Sequence, residues 1–352
     1  MTTARNERVR ADQTGETMEF VADLRDIATP DPGLRQVTDP AVAADLIGRE
    51  VRDRLLAVLD AATADPVVLL SGGVDSILVA AAAVAAGARP HAITIVSEGG
   101  TDRENAEAAA RALGLTHEIV EIDEHAVVDL AAHAIDRLGV PELWEVTYAV
   151  PLLAALPALD RLGAVGPILT GSGADAIVAG GRQLRNPIGS PEAVEELDRT
   201  IRKESANNFV HARLVPDFYP RIMGEYADRF VHVFQTVRMW EVAETFAPTA
   251  LFGEHDGEPA DKLCLRLACE ALLPESARGL VWAKKSAIQR SAGIMGALAT
   301  AARRRATAMP GATAYGDPMT EPYESVATRL FLALLGTDRA GLTADREGKG
   351  VR

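Results

Sequence analysis

The stretch with the clearest chemical character is Ser71-Gly72-Gly73-Val74-Asp75-Ser76, which follows an apolar run at 67–70 and precedes an alanine-rich helical pattern. The two glycines allow a ligand to approach the backbone closely, Ser71 and Ser76 supply hydroxyl donors, and the following helix presents free N–H groups at its first turn. This combination predicts a phosphate-binding loop. Because Asp75 would repel a phosphate unless a divalent cation lay between them, the loop also predicts Mg²⁺ beside a nucleotide.

A strand followed by Ser-Gly-Gly-x-Asp-Ser resembles the PP-loop of the N-type ATP pyrophosphatases, which cleave ATP between the α and β phosphates and adenylate a carboxyl or carbonyl oxygen. A kinase-type phosphate loop is excluded, because the G-x-x-x-x-G-K-[ST] pattern is absent. The resemblance implies that the ATP is bound by Ser71, Gly72, Gly73, Asp75 and Ser76. It also implies that Asp75 is a ligand of Mg²⁺.

A second segment, Thr170-Gly171-Ser172-Gly173-Ala174-Asp175 with Gly180-Gly181 after it, follows another predicted strand. It fits the dinucleotide fingerprint G-x-G-x-x-[GA], but glycines and prolines then break the chain and no further strand is predicted, which disfavours a nicotinamide site. The segment is similar instead to the T/S-G-x-G-x-D segment of the asparagine synthetase and β-lactam synthetase branch. That resemblance implies that Asp175 is the second Mg²⁺ ligand and that the backbone of Gly171 lies near the nucleotide.

A third segment begins with Leu273-Pro274-Glu275 and continues with Trp282-Ala283-Lys284-Lys285-Ser286-Ala287-Ile288-Gln289 and Ala292-Gly293. It resembles the Leu-Pro-…-Arg-x-Lys-…-Gly segment near the C-terminus of the same fold. The resemblance implies that Lys285 acts on the reacting phosphates or on the later tetrahedral oxyanion, where a positive charge is effective in a dry site. Together the three segments imply a magnesium-dependent synthetase. It would adenylate a small carboxylic acid, release pyrophosphate and form an amide with ammonia or an amine.

The half of the site that would bind the acceptor departs from the family pattern. Ser172 stands where asparagine synthetases usually have Glu and β-lactam synthetases Tyr, and serine is a poor general base. Ala176 replaces an acidic residue, Ala283 replaces an arginine, and Val233-Phe234-Gln235-Thr236 stands for a Pro-Phe-Leu-Asp segment. Since no cysteine lies near the N-terminus, ammonia is expected from solution, from a separate glutaminase partner or from an amine-bearing substrate. We predict a changed substrate, with Ser172 and Lys285 as catalytic candidates.

Composition narrows the class of protein. The 352 residues carry a net charge of −14, which disfavours RNA or DNA as the main substrate and therefore a PP-loop tRNA-modifying enzyme. A degenerate, non-catalytic nucleotide-binding subunit is the other alternative, and retention of both Asp75 and Asp175 argues against it. Cys264 and Cys269 lack the C-x-x-C spacing and are expected in the core. No apolar run is long enough for a membrane span, so we expect a soluble cytoplasmic protein, compatible with a homo-oligomer.

Apolar runs alternate with helical patterns in the first half of the chain, with strands predicted at 67–70, 91–97, 117–122 and 167–170. This order predicts an α/β fold with a doubly wound parallel sheet, similar to the adenine nucleotide α-hydrolases, and a helical C-terminal region. Ligands bind outside the carboxyl ends of such strands, which adds Ser97 to the candidates for nucleotide binding.

The second half of the chain has helical periodicity. Helices are predicted at 191–213, 220–246, 261–273, 288–306 and 326–335, and Glu195, Glu196 and Asp198 are expected on an exposed face of the first. We divide the chain into an N-terminal arm and helix (1–62), a PP-loop core (63–183), a helical region that completes the synthetase site (184–310) and a C-terminal helix and tail (311–352).

Overall fold

The computed structural model describes residues 27–206, 214–215, 217–283 and 287–347, with side chains described up to residue 337. In these ranges a five-stranded parallel sheet forms the centre, and a two-stranded antiparallel hairpin is also present. The predicted doubly wound α/β fold is therefore confirmed. The strands are β1 (Val67–Leu69), β2 (His91–Ser97), β3 (His117–Ile122), β4 (Ile168–Thr170) and β5 (Phe230–His232) in the sheet, and β6 (Gly253–His255) and β7 (Glu258–Ala260) in the hairpin.

Helices account for most of the remaining described chain. Short 3₁₀ segments lie at Pro32–Leu34, Gly224–Arg229 and Glu275–Trp282. The α-helices are α1 (Pro40–Asp60), α2 (Val74–Ala85), α3 (Asp102–Leu113), α4 (Glu124–Leu138), α5 (Leu143–Leu162), α6 (Ala174–Val178), α7 (Pro191–Ser205), α8 (Phe218–Met223), α9 (Val237–Ala243), α10 (Pro248–Leu251), α11 (Leu263–Glu270), α12 (Ile288–Ser291), α13 (Ile294–Thr307) and α14 (Tyr323–Glu347). Among them, none is both long and apolar enough to cross a bilayer.

The sheet is buried on both faces, because its strands alternate side chains between two apolar clusters. Val68 packs with residues of α1, α2 and α11, whereas its neighbour Val67 packs with residues of α4, α5, α8 and α13. Strands covered on both sides are expected to be continuously apolar, as β1 is. Cys264 and Cys269 are buried in the first of these clusters, as predicted.

The strand order is β3-β2-β1-β4-β5, so the connections proceed in one direction from β1 and in the other from β4. The carboxyl ends of β1 and β4 therefore flank the point where the strand order reverses. In open parallel sheets this reversal opens a crevice that binds ligands. The loop after β1 carries Asp75 and the loop after β4 carries Asp175.

Several element predictions are wrong in detail. The predicted helix at 220–246 is divided by β5, which pairs in parallel with β4, so a strand does follow the second signature. The predicted helix at 288–306 is broken by Gly293, whose φ of 85° caps α13. The last helix is much longer than predicted. Residues 1–26, 207–213 and 348–352 of the predicted arm, helix and tail lie outside the described residues.

Candidate functional site

The loop between β1 and α2 is shaped by its glycines and serines. Gly72 has a φ of 71°, a left-handed conformation that favours glycine, and a Cβ there would lie 2.9 Å from the carbonyl oxygen of Asp102. Ser76 Oγ donates to the carbonyl of Gly73 at 3.0 Å and accepts from the backbone N–H of Ser71 at 3.2 Å. The two serine hydroxyls lie 3.2 Å apart. The loop is thus closed upon itself at the first turn of α2, whose N–H groups have no intrahelical acceptors.

Asn105 of α3 holds this loop from the side, a role that the sequence did not reveal. Its Nδ2 donates to the carbonyl of Gly72, and also to the carbonyl of Leu280 at 3.3 Å. One amide group therefore joins the phosphate-loop candidate to the 3₁₀ segment that precedes the third signature. This contact orients the Gly72 peptide.

The two aspartates from the different loops meet at one cation, the ammonium group of Lys262. Nζ of Lys262 lies 2.8 Å and 3.1 Å from the two carboxylate oxygens of Asp75, and 2.5 Å from Oδ1 of Asp175. The Lys262 side chain is 11% exposed, Asp75 is 20% exposed and Asp175 is 59% exposed. Burial alone would lower the pKa of Lys262, but the two carboxylates outweigh that effect and hold the pKa above its ordinary value.

Lys262 reaches both carboxylates because its own backbone and a neighbouring glycine permit it. Lys262 has a φ of 53° immediately before α11, and a Cβ at Gly180 would overlap its Cε and the Oδ1 of Asp175. Asp261 accepts a hydrogen bond from the N–H of Gly181 at 2.6 Å and from Nη2 of Arg266 at 2.8 Å. Asp261 thereby ties the segment that carries Lys262 to the glycine pair after α6.

The position of Lys262 tests whether the predicted metal would fit. Two carboxylates that converge on one cation-sized point match the way Mg²⁺ is held beside nucleotides, by one or two carboxylates together with phosphate oxygens. A self-sufficient metal site is a different case, and no group of three or more His, Cys, Asp or Glu side chains suitable for a metal occurs among the described residues. Asp75 and Asp175 therefore fit a magnesium ion that arrives with a nucleotide.

The third signature docks at the carboxyl end of β2. The backbone N–H of Ser97 donates to the carbonyl of Ala292 at 2.7 Å, and the N–H of Thr101 donates to the carbonyl of Ser291 at 2.7 Å. A Cβ at Gly293 would lie 2.9 Å from the carbonyl oxygen of Glu98, so glycine allows this close approach. The Oγ of Ser97 is buried and has no hydrogen-bond partner among the residues described. The predicted nucleotide-binding residue Ser97 thus lies against the C-terminal end of the third signature.

Ser172, the other catalytic candidate, lies on the loop after β4 among neutral polar groups. Its Oγ accepts hydrogen bonds from the hydroxyl of Tyr148 at 3.3 Å and from Nε2 of Gln235 at 3.2 Å. The hydroxyls of Tyr148 and Tyr219 are 3.1 Å apart. Gln235 lies in the segment that stands for the family's Pro-Phe-Leu-Asp pattern, which places this rebuilt segment against Ser172.

The structure brings most predicted site residues to one edge of the sheet. Gly171 lies against the first loop, because a Cβ there would be 2.8 Å from the backbone carbon of Asp75. Lys285 lies outside the described residues, so its role stays a prediction. Lys262 was missed by sequence reasoning, although a lysine that follows a Gly-Pro-rich turn and precedes an apolar helix offered a weak signal.

The chain matches a known protein family. The protein-family model for asparagine synthase matches residues 50–260, which is more than half of the chain. The matched range contains the whole parallel sheet, Asp75, Ser172 and Asp175, and it ends just before Lys262. No curated protein matches the chain.

Proposed function

The chain belongs to the asparagine synthase family of ATP-dependent ligases that form amide or other C–N bonds, and we propose that it is an AMP-forming amide synthetase. It adenylates a small carboxylic acid and transfers the acyl group to ammonia or an amine. The observation that carries the proposal is the convergence of Asp75 and Asp175 on the ammonium group of Lys262 at the point where the strand order reverses.

The nucleotide would lie across the carboxyl ends of β1, β2 and β4. Its phosphates would face the Ser71–Ser76 loop and the first turn of α2, where N–H groups and the helix dipole favour negative charge. Asp75 and Asp175 would hold Mg²⁺ when ATP binds, and the ion would neutralise charge on the departing pyrophosphate. Lys262 adds a fixed positive charge at the same place.

The chemistry divides into two displacements. A substrate carboxylate oxygen first forms a bond to the α-phosphorus while the bond from that phosphorus to the bridging oxygen breaks, and pyrophosphate leaves. The nitrogen of ammonia or an amine then bonds to the acyl carbon, the carbon–oxygen bond to AMP breaks, and the nitrogen releases one proton to solvent. Lys285 is proposed to stabilise charge in these steps, as its place in the third signature implies.

The identity of the substrate is narrowed by the side chains around Ser172. Asparagine synthetases usually have Glu at this position, and here a hydroxyl occupies it beside the neutral groups of Tyr148, Tyr219 and Gln235. We infer that the half of the site that binds the acceptor is adapted to a carboxylic acid other than aspartate. The enzyme would then act in a biosynthetic pathway. Ammonia would come from solution or from a separate glutaminase, or the amine would be part of a substrate.

Asp75→Asn tests the proposed site. In wild-type protein, a panel of amino, hydroxy, keto and dicarboxylic acids is expected to include one that supports exchange of labelled pyrophosphate into ATP. Asp75→Asn should lower that exchange by about 10³-fold, because the neutral amide is a much weaker ligand for the metal and removes the charge that pairs with Lys262. Asp45→Asn, which removes an exposed carboxylate on α1, is the matched control and should exchange like wild type.

Undiminished exchange in Asp75→Asn would contradict the site assignment. ATP cleavage to ADP and phosphate would contradict the mechanism, whichever variant is used. A non-catalytic nucleotide-binding subunit would show no exchange with any acid of the panel while still binding ATP.

A further inference from the structure

The hydrogen bonds at Ser172 leave its hydroxyl proton available for a ligand. A serine hydroxyl has two lone pairs and one proton. Tyr148 and the amide nitrogen of Gln235 both donate to the Ser172 oxygen, so both lone pairs are occupied. In the described part of the chain, no acceptor receives the Ser172 proton in return. Ser172 is therefore arranged as a hydrogen-bond donor, and the role of general base is excluded by its own partners.

The tyrosine pair fixes the direction of this arrangement. Tyr148 has one hydroxyl proton and donates it to Ser172, so the hydrogen bond of 3.1 Å between the two tyrosines must have Tyr219 as its donor. The hydrogen bonds therefore form a chain in one direction, in which Tyr219 donates to Tyr148 and Tyr148 donates to Ser172. Hydrogen bonds in such a chain polarise one another, which strengthens the last donor.

Gln235 supplies the second observation that points to a ligand. Its side chain is held between Ser172 and Gly173, where a Cβ on Gly173 would lie 2.5 Å from its Cγ. Gln235 is 5% exposed, and its Oε1 has no hydrogen-bond partner among the described residues. A buried amide oxygen without a partner is costly, so an N–H donor is expected to complete it.

The donor and the acceptor both lie at the edge of the proposed ATP crevice. Ser172 follows Gly171, whose backbone packs on the backbone of Asp75 and Ser76, and it precedes Asp175 by three positions. A group bound to Ser172 and Gln235 would therefore be next to the phosphates. This is where the acyl carbon of an adenylate must be attacked.

We propose that Ser172 donates a hydrogen bond to the acyl oxygen during amide formation, an inference that rests on the proposed function. In the same step, Oε1 of Gln235 accepts a hydrogen bond from an N–H of the attacking nitrogen. As the C–N bond forms, the carbonyl electrons move onto the acyl oxygen, and they return when the C–O bond to AMP breaks. The Ser172 proton is not transferred. Ser172 and Gln235 are catalytic residues in this proposal, whereas Tyr148 and Tyr219 are positioning residues that act through Ser172.

The test compares the two half-reactions in Ser172→Ala. The probes are the acid of the panel that supports exchange in wild type and hydroxylamine as the attacking amine. Hydroxamate formation should fall by about 100-fold, because a donor to the developing oxyanion is lost. Pyrophosphate exchange should fall by less than about tenfold, since little charge develops on the acyl oxygen in that step. Ser172→Thr keeps the hydroxyl and should recover most of the hydroxamate rate, and Ser325→Ala on α14 is the matched control.

Tyr148→Phe tests the relay by a double-mutant cycle. The single change should lower hydroxamate formation by about tenfold with little change in the KM for the acid, and it should add nothing in the Ser172→Ala background. Equal losses in both half-reactions of Ser172→Ala, no loss in either, or additive effects of the two substitutions would overturn the inference. Absence of acid-dependent exchange in wild type would instead overturn the proposed function, and the inference with it.

Discussion

Lys262→Met is expected to lower acid-dependent pyrophosphate exchange by about 10²- to 10³-fold, because it removes the cation that two carboxylates share. Without the ammonium group, Asp75 and Asp175 repel each other, and the phosphates of ATP lose a positive charge in a partly buried site. Methionine keeps the unbranched side chain that passes Gly180, so the loss reports charge rather than packing. The measurement is the rate of exchange at saturating ATP and Mg²⁺.

Lys203→Met provides the control for this change, since Lys203 is an exposed lysine on α7. It should exchange at the wild-type rate. Exchange in Lys262→Met within about threefold of wild type would show that the shared cation does not serve ATP.

Asp198→Asn is expected to lower the free energy of unfolding by about 3–5 kcal/mol, because it breaks a fully buried ion cluster. The Asp198 carboxylate accepts from Nε of Arg35 at 2.9 Å, from Nε of Arg202 at 3.0 Å and from the backbone N–H of Asp31 at 2.6 Å. Burial lowers the pKa of Arg35 and the pairing with Asp198 opposes that effect. An asparagine would leave two buried guanidinium groups without their shared anion.

The measurement for Asp198→Asn is denaturant unfolding, with Asp53→Asn on the surface of α1 as control. The control should change the free energy of unfolding by less than about 0.5 kcal/mol. A loss below about 1 kcal/mol in Asp198→Asn would mean that the ion cluster contributes little to the free energy of unfolding. The cluster matters for the site because Ser205, on the same helix as Asp198, donates to the carbonyl of Ala176 beside Asp175.

The meeting of Asp75 and Asp175 was predictable from sequence because it depends on a rule about parallel sheets. Each residue follows a strand whose carboxyl end must lie at the same edge, and the reversal of strand order between β1 and β4 places the two loops side by side. The glycines of both loops were informative as well, for a steric reason. They mark places where backbones or ligands approach too closely for a Cβ.

Lys262 was not predicted as part of the site, because no comparable rule applies to it. It lies 187 positions from Asp75, in no motif that was recognised, and it reaches the carboxylates only because of a left-handed backbone at the start of α11. β5 was missed because it has three residues and lies within a longer stretch of helical periodicity. Phe230 and Val231 favour a strand, but three residues are too few to stand out from the helical pattern on either side.

The ion cluster shows where pattern alone gives the wrong answer. Asp198 was expected on an exposed face with Glu195 and Glu196, yet its side chain is fully buried while Glu195 remains exposed. Helical spacing assigns a face to each residue. It does not show that Arg35, 163 positions away, covers that face with an opposite charge.

Adenylation of a carboxylic acid in this crevice would transfer one carboxylate oxygen to AMP, and labelling with ¹⁸O follows that atom. The acid that supports exchange is supplied with both carboxylate oxygens labelled, and the nucleotide product is analysed by mass spectrometry after amide formation. We predict AMP that carries one ¹⁸O atom, because the attacking oxygen stays on the phosphate when the amine displaces it. Unlabelled AMP, or ADP as the nucleotide product, would show that the carboxylic acid is not adenylated.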